Sequence, residues 1–140
     1  MATTAGYSGT PLAKKLGIKD GTTVTLVGVV PDDAEELLAP LPDGVRVRRR
    51  LGGEPEVVVF FTTARRDLER RFAKLAETIY PAAACWIAWP KKASKVATDM
   101  TEDVVREVAL PAGLVDVKVC AIDATWSGLK LVHRKERRPS

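Results

Sequence analysis

Thr22-Thr23-Val24-Thr25-Leu26-Val27-Gly28-Val29-Val30-Pro31-Asp32 is the stretch on which the fold turns. Residues 22–30 are a continuous β-branched and apolar run, the pattern of a strand covered on both faces. Such a strand belongs inside a parallel sheet between helical layers. Pro31-Asp32-Asp33 then opens a helix carrying Leu37 and Leu38, with acids in the first turn where the helix dipole favours them, and Pro40 and Pro42 end it.

The same alternation extends in both directions. Upstream, Thr10-Pro11 begins a short helix in which Thr10 can cap, proline suits the first position, Leu12 and Leu16 share a face and Gly17 suits the end. Downstream, residues 45–51 set Val45 and Val47 against arginines, as in an exposed edge strand. Residues 52–55 form a loop and residues 56–61 a second buried strand. Residues 64–80 are the clearest helix: Leu68, Phe72, Leu75, Ala76 and Ile79 form one stripe, with Arg65, Arg66, Arg70, Arg71 and Lys74 outside it. Residues 84–89 are a third buried strand and residues 91–98 a polar loop. Asp99 with Glu102 resembles a capping box for a helix striped by Val104, Val105, Val108 and Ala109. Strand 115–122, a turn over 123–128 and a last strand 129–133 complete the pattern.

Strands alternating with helices predict an α/β fold: a Rossmann-like three-layer sandwich on a mostly parallel sheet of about six strands. The last pair is joined by too short a turn for a crossover, so the C-terminal strand is antiparallel. Residues 1–133 read as a single domain with residues 1–9 as a flexible lead-in, and residues 134–140 as a basic tail.

Composition excludes several function classes. With 46% hydrophobic and 29% charged residues the chain is globular rather than disordered. Its start has neither a basic leader nor an apolar core, and no apolar run approaches the ~20 residues that cross a bilayer, so a cytoplasmic protein with no membrane partner is expected. Cys85 and Cys120 sit in apolar runs and read as core thiols. One histidine, His133, leaves no ligand set for a metal. The net charge of +4 is accounted for by the stretch from Lys130 onward, where five Lys/Arg meet one acid; residues 1–129 are neutral. A charge excess confined to the end is ordinarily solvated, which disfavours nucleic acid as a partner, as does the lack of aromatic residues among the basic segments.

Two resemblances follow from specific strings. The succession of a Trp/Ala strand, a loop, a helix and Leu114-Val115-Asp116-Val117-Lys118-Val119, then Trp126-Ser127-Gly128-Leu129-Lys130-Leu131-Val132, resembles the core of the class I methyltransferases. That resemblance implies a strand order of 2, 1, 3, 4, 6, 5, with one helix–strand unit missing. In that family the methyl donor sits on a glycine-rich turn after the first strand, and an acid ending the second strand binds its ribose. Here the turn is Val27-Gly28-Val29-Val30-Pro31-Asp32 and the second strand ends in Arg48-Arg49-Arg50-Leu51. Neither feature is kept, so no cofactor is expected. Over nearly the whole chain, Trp86-Ile87-Ala88-Trp89-Pro90-Lys91-Lys92-Ala93-Ser94, Thr101-Glu102-Asp103-Val104-Val105-Arg106 and Val117-Lys118-Val119-Cys120-Ala121-Ile122-Asp123 resemble the bacterial, mainly actinobacterial, domain-of-unknown-function family three-zero-five-two.

Ligands of open α/β sheets sit outside the carboxyl ends of the parallel strands. That edge gathers Pro31, Asp32, Arg49, Arg50, Thr62, Thr63, Arg65, Trp89, Pro90, Lys91, Lys92 and Asp123, with Ser94 and Trp126 in the adjoining loops, and Tyr7 and Ser8 precede a helix that could fold over it. The lysines and Ser94 suit a phosphate or carboxylate, or they are simply a solvated loop. Asp123 is a general base or ribose ligand, or it caps a turn through backbone amides two or three residues on. No catalytic residue is identified: the serines have no base within reach and no G-x-S-x-G elbow is present. The expected function is a non-catalytic binding or regulatory domain on a degenerate methyltransferase-like scaffold, acting on a protein partner or a small anionic ligand. The alternatives are a small enzyme or sensor for an anionic metabolite or nucleotide at this edge, and weak nucleic-acid binding through the basic surface.

Overall fold

The computed structural model describes residues 10–137. Six strands form one sheet: β1 (Thr23–Gly28), β2 (Arg46–Arg48), β3 (Val57–Phe61), β4 (Ala84–Pro90), β5 (Leu114–Ala121) and β6 (Trp126–His133). Their order is β2-β1-β3-β4-β6-β5, as the resemblance implies. β2, β1, β3 and β4 run parallel, and β6 lies antiparallel to both β4 and β5. The helices are α1 (Leu12–Lys15), α2 (Ala34–Leu38), α3 (Arg65–Ile79) and α4 (Glu102–Ala109).

Every residue of β3 and β4 is buried, as expected of strands with helices on both faces. Leu68, Phe72, Leu75 and Ile79 of α3, with Val105 and Ala109 of α4, pack on Val58, Phe60 and Ile87. On the opposite face Leu12 and Leu16 of α1 and Leu38 of α2 pack on Leu26, Val59 and Trp86. Trp86 and Trp89 therefore serve different cores, as residues three apart on a strand must. The Trp86 Nε1–H also donates to the Leu16 carbonyl at 3.1 Å, tying the short helix α1 to the sheet. A helix of four residues has almost no stability of its own, and the burial of Leu12, Ala13 and Leu16 is what holds it.

Several local expectations need correction. β2 covers only residues 46–48 of the expected 45–51: Arg49 leaves the ladder to pair with Glu35 at 3.0 Å, and the chain then turns at Gly52 and Gly53. β6 starts at Trp126 rather than at 129, because the turn closes within residues 123–125. The cap of α4 is Thr101, whose hydroxyl accepts from Val104 N at 3.1 Å, and not Asp99. Asp99 instead accepts from Arg65 N at 2.7 Å and so serves the start of α3, a pairing across 34 positions that local spacing does not encode. α1 begins after Pro11 without a side-chain cap, so Thr10 does not play that part.

β5 is the outer strand on one side. A register irregularity between Asp116 and Lys118 interrupts its ladder with β6, and Lys118 is exposed, both features that disfavour further strand pairing. The lone histidine is structural: His133 is buried, its Nε2 lies 2.8 Å from the Ala76 carbonyl, and the Tyr80 ring meets it edge-on at 5.1 Å. No helix among the described residues is long and apolar enough to cross a membrane. Of the basic tail, Lys135–Arg137 form a 3-10 turn that follows a bond from Arg134 N to the Gly113 carbonyl at 3.2 Å.

Candidate functional site

The carboxyl edge of the parallel strands is built from four segments: the exit of β1, the exit of β2, the β3–α3 junction and the loop after β4. Strand order reverses about β1, so the β1/β3 exit is the switch point where such folds admit ligands. That exit is closed by the chain itself. Val29 N donates to the Phe61 carbonyl at 2.9 Å, continuing the ladder past the end of β1. Gly28 has φ +91, and a Cβ there would lie 2.1 Å from the same carbonyl oxygen. Glycine is therefore required by backbone crowding between two strands of this chain. Trp126 covers Phe61 edge-on, with ring centroids 5.2 Å apart. Beneath, only about 10 Å³ of space is left among Leu12, Leu26, Leu37, Phe61 and Ile122, a void too small and too apolar to hold a polar group.

At the exit of β4 two loops are joined. Lys91 N donates to the Thr125 carbonyl at 2.7 Å, which ties the 91–95 loop to the 123–126 turn. Within the turn, Asp123 Oδ1 accepts from Thr125 N at 2.9 Å and Trp126 N at 2.7 Å, the capping arrangement described above as one of its two readings. Within the loop, the Ser94 hydroxyl donates to the Lys91 carbonyl at 2.7 Å and accepts from Val96 N at 3.3 Å. Lys95 stands at φ 63, a left-handed conformation that turns the chain there. Lys91 is half-buried and Lys92 exposed, and among the described residues neither pairs with a carboxylate. Lys91, Lys92, Ser94, Asp123 and Trp126 are thus brought together.

The remaining candidates lie apart from that group or point elsewhere. Trp89 is 7% exposed, its ring in the core beneath α3 and α4. Arg65 bridges the two helices through Glu69 at 2.9 Å and Glu107 at 2.6 Å, and those two hydrogen bonds raise its guanidinium pKa further above its ordinary value. Asp32 is exposed just before α2. Tyr7 and Ser8 lie outside the described residues. Both thiols are unpaired; burial pushes Cys85 up to about 12 and raises Cys120 as well, with Lys15 and Lys118 opposing the latter shift. A protonated, buried thiol is a poor nucleophile. Among the described residues no three His, Cys, Asp or Glu side chains group as metal ligands.

At the exit of β2, where the sequence places Arg49 and Arg50, the structure adds Arg48 and the glycine turn. Arg48, Arg49, Arg50, Leu51, Gly52 and Gly53 line a cleft of about 450 Å³. The three arginines are visible as a string, but their apposition to the paired glycines depends on where the chain turns back.

No family model and no curated protein matches the chain. Solved structures do. A magnesium protoporphyrin IX methyltransferase from Synechocystis PCC 6803, with bound SAM, superposes with a TM-score of 0.56 at 11% identity, covering 88% of this chain and 74% of that one. A putative methyltransferase from Thermoplasma acidophilum gives 0.54 at 12% identity, covering 93% and 77%. A SAM-dependent methyltransferase from Aquifex aeolicus gives 0.53 at 16% identity, covering 86% of each chain. The architecture is that of the class I methyltransferases, a Rossmann-like α/β sandwich.

Proposed function

We propose that this chain, built on the class I methyltransferase fold, is a binding or regulatory domain that transfers no methyl group. One observation carries the reading: the bond from Val29 N to the Phe61 carbonyl, with Gly28 pressed against the same oxygen, fills the switch point with the chain's own backbone. A methyl donor seated there needs free backbone amides on the turn and an open crevice between the two strand ends. Here one of those amides is spent on the neighbouring strand. The exit of β2 is basic, where the resemblance implies a carboxylate for the ribose. We infer membership of domain-of-unknown-function family three-zero-five-two only from the strings that resemble it, and two unpaired thiols suit the reducing cytoplasm.

Calorimetric titration with S-adenosylmethionine and with S-adenosylhomocysteine tests it. The expected result is no saturable heat up to about 1 mM ligand. A dissociation constant below about 100 μM for either compound overturns the reading.

A second reading, a sensor or small enzyme for an anionic metabolite, draws on the 91–95 loop, where among the described residues Lys91 and Lys92 pair with no carboxylate and the Lys91 backbone is bonded to the Asp123 turn. Its signature is a metabolite-dependent rise in melting temperature that disappears in a Lys91→Ala/Lys92→Ala variant.

A further inference from the structure

The exit of β2 combines three features that a solvated loop does not need. The first is charge without compensation. Of the three consecutive arginines, Arg49 is neutralised by Glu35 at 3.0 Å, whereas among the described residues Arg48 and Arg50 have no carboxylate partner. The nearby acids Glu54 and Glu56 line an adjoining groove that shares Gly52 and Gly53 with the arginine cleft, and Glu56 already accepts from Thr23 N at 2.7 Å. The second is a pair of glycines in left-handed conformations, Gly52 at φ 129 and Gly53 at φ 61. Among the described residues no hydrogen bond within the chain engages the backbone N–H of either. The third is close packing of a cation on that turn. The Arg48 guanidinium lies over Gly53, where an added Cβ would come within 2.7 Å of its Nη1 atom. Leu51 holds the turn down by packing on the core beneath α3.

We propose that the cleft between the end of β2 and the Gly52–Gly53 turn binds the phosphate group of a small ligand, held by the guanidinium groups of Arg48 and Arg50 and the free amides of the turn. A planar guanidinium presents two parallel N–H donors that match two phosphate oxygens, and backbone amides on a turn can add donors to an anion. The volume of about 450 Å³ admits a diphosphate with part of the group it carries. Arg49, tied back to α2 by Glu35, sets the direction of the strand exit. The proposal stands independently of the methyl-donor question, because a different probe reads it.

The test is calorimetric titration of the full chain with inorganic pyrophosphate and with inorganic phosphate, at low and at physiological salt. Arg48→Lys keeps the charge but loses the fork. Arg50→Ala removes one cation, and both positions are exposed, so circular dichroism melts should match the parent. Pyrophosphate is expected to bind more tightly than phosphate, with each variant weakening it by roughly tenfold, the scale of one charged hydrogen bond. The Lys91→Ala/Lys92→Ala variant should bind as the parent does. Three results overturn the proposal: no pyrophosphate binding; equal loss in the lysine variant; or parent-like binding by Arg48→Lys, which would reduce the cleft to diffuse charge. Retained binding of a duplex oligonucleotide in the absence of pyrophosphate binding also overturns it, in favour of a nucleic-acid surface.

Discussion

Thr25 and Cys85 show how single side chains in the sheet respond to burial. The Thr25 hydroxyl is fully buried on β1 and has no hydrogen-bond partner among the described residues. An unsatisfied buried hydroxyl is costly, and valine has nearly the same shape. Thr25→Val is expected to raise stability by about 1 kcal/mol, read as a higher urea midpoint with an unchanged slope. Cys85 has the opposite sense. Its thiol pKa is raised by burial from 9.0 to about 12, so the native state holds a proton that the unfolded chain loses first. Its contribution is full below pH 9 and is lost as pH rises toward 12, at up to about 1.4 kcal/mol per pH unit. The denaturant midpoint should fall more steeply above pH 9 in the parent than in Cys85→Ala, and alkylation of the native protein should modify half-buried Cys120 before Cys85.

The helices differ in what starts them. α4 is opened by its own Thr101, a local device. Thr101→Ala should cost about 1 kcal/mol by urea denaturation, the usual worth of an N-cap. α3 takes its first amide partner from Asp99, on the segment leading into α4, and the Thr98 hydroxyl donates to the Thr63 carbonyl at 2.6 Å nearby. The two helices on that face are further joined by Arg65 and Glu107, and α4 is joined to β5 by Arg106 and Asp116 at 3.0 Å. The guanidinium of Arg106 is held protonated by hydrogen bonds to Glu102 and Asp116. These exposed or half-exposed pairs orient the helices; the buried stripe Leu68, Phe72, Leu75 and Ile79 supplies the stability, roughly 1.5–3 kcal/mol for each fully buried side chain.

Across the whole molecule, charge is divided between a neutral body and a basic end. Weak association with duplex DNA at low salt, where it occurs, is expected to vanish when residues 134–140 are removed and to fall steeply with salt, as measured by fluorescence anisotropy. Retention of binding in the truncated chain would direct attention to the arginines of β2 instead. The sheet separates two uses of the same scaffold. Its switch point is closed by backbone, while its outer parallel strand ends in an open, arginine-lined cleft.

The fully apolar strands, the stripe of α3 and the antiparallel last strand were legible from residues 22–133, because burial on both faces imposes an apolar run and a short final turn forces antiparallel return, whereas the strand order came from the resemblance. The paucity of metal ligands and the departure from a glycine-rich turn were equally open to reading along the chain. The sequence could not disclose that Asp99 serves α3, that β2 stops at Arg48, or that Gly53 lies under the Arg48 guanidinium. Nor could it show that Gly28 is needed because Phe61 presses on it. Each of these depends on two segments meeting across a distance in sequence. Periodicity records which face of an element is apolar, but hydrogen bonds and steric contacts between elements exist only once the sheet has brought their ends together.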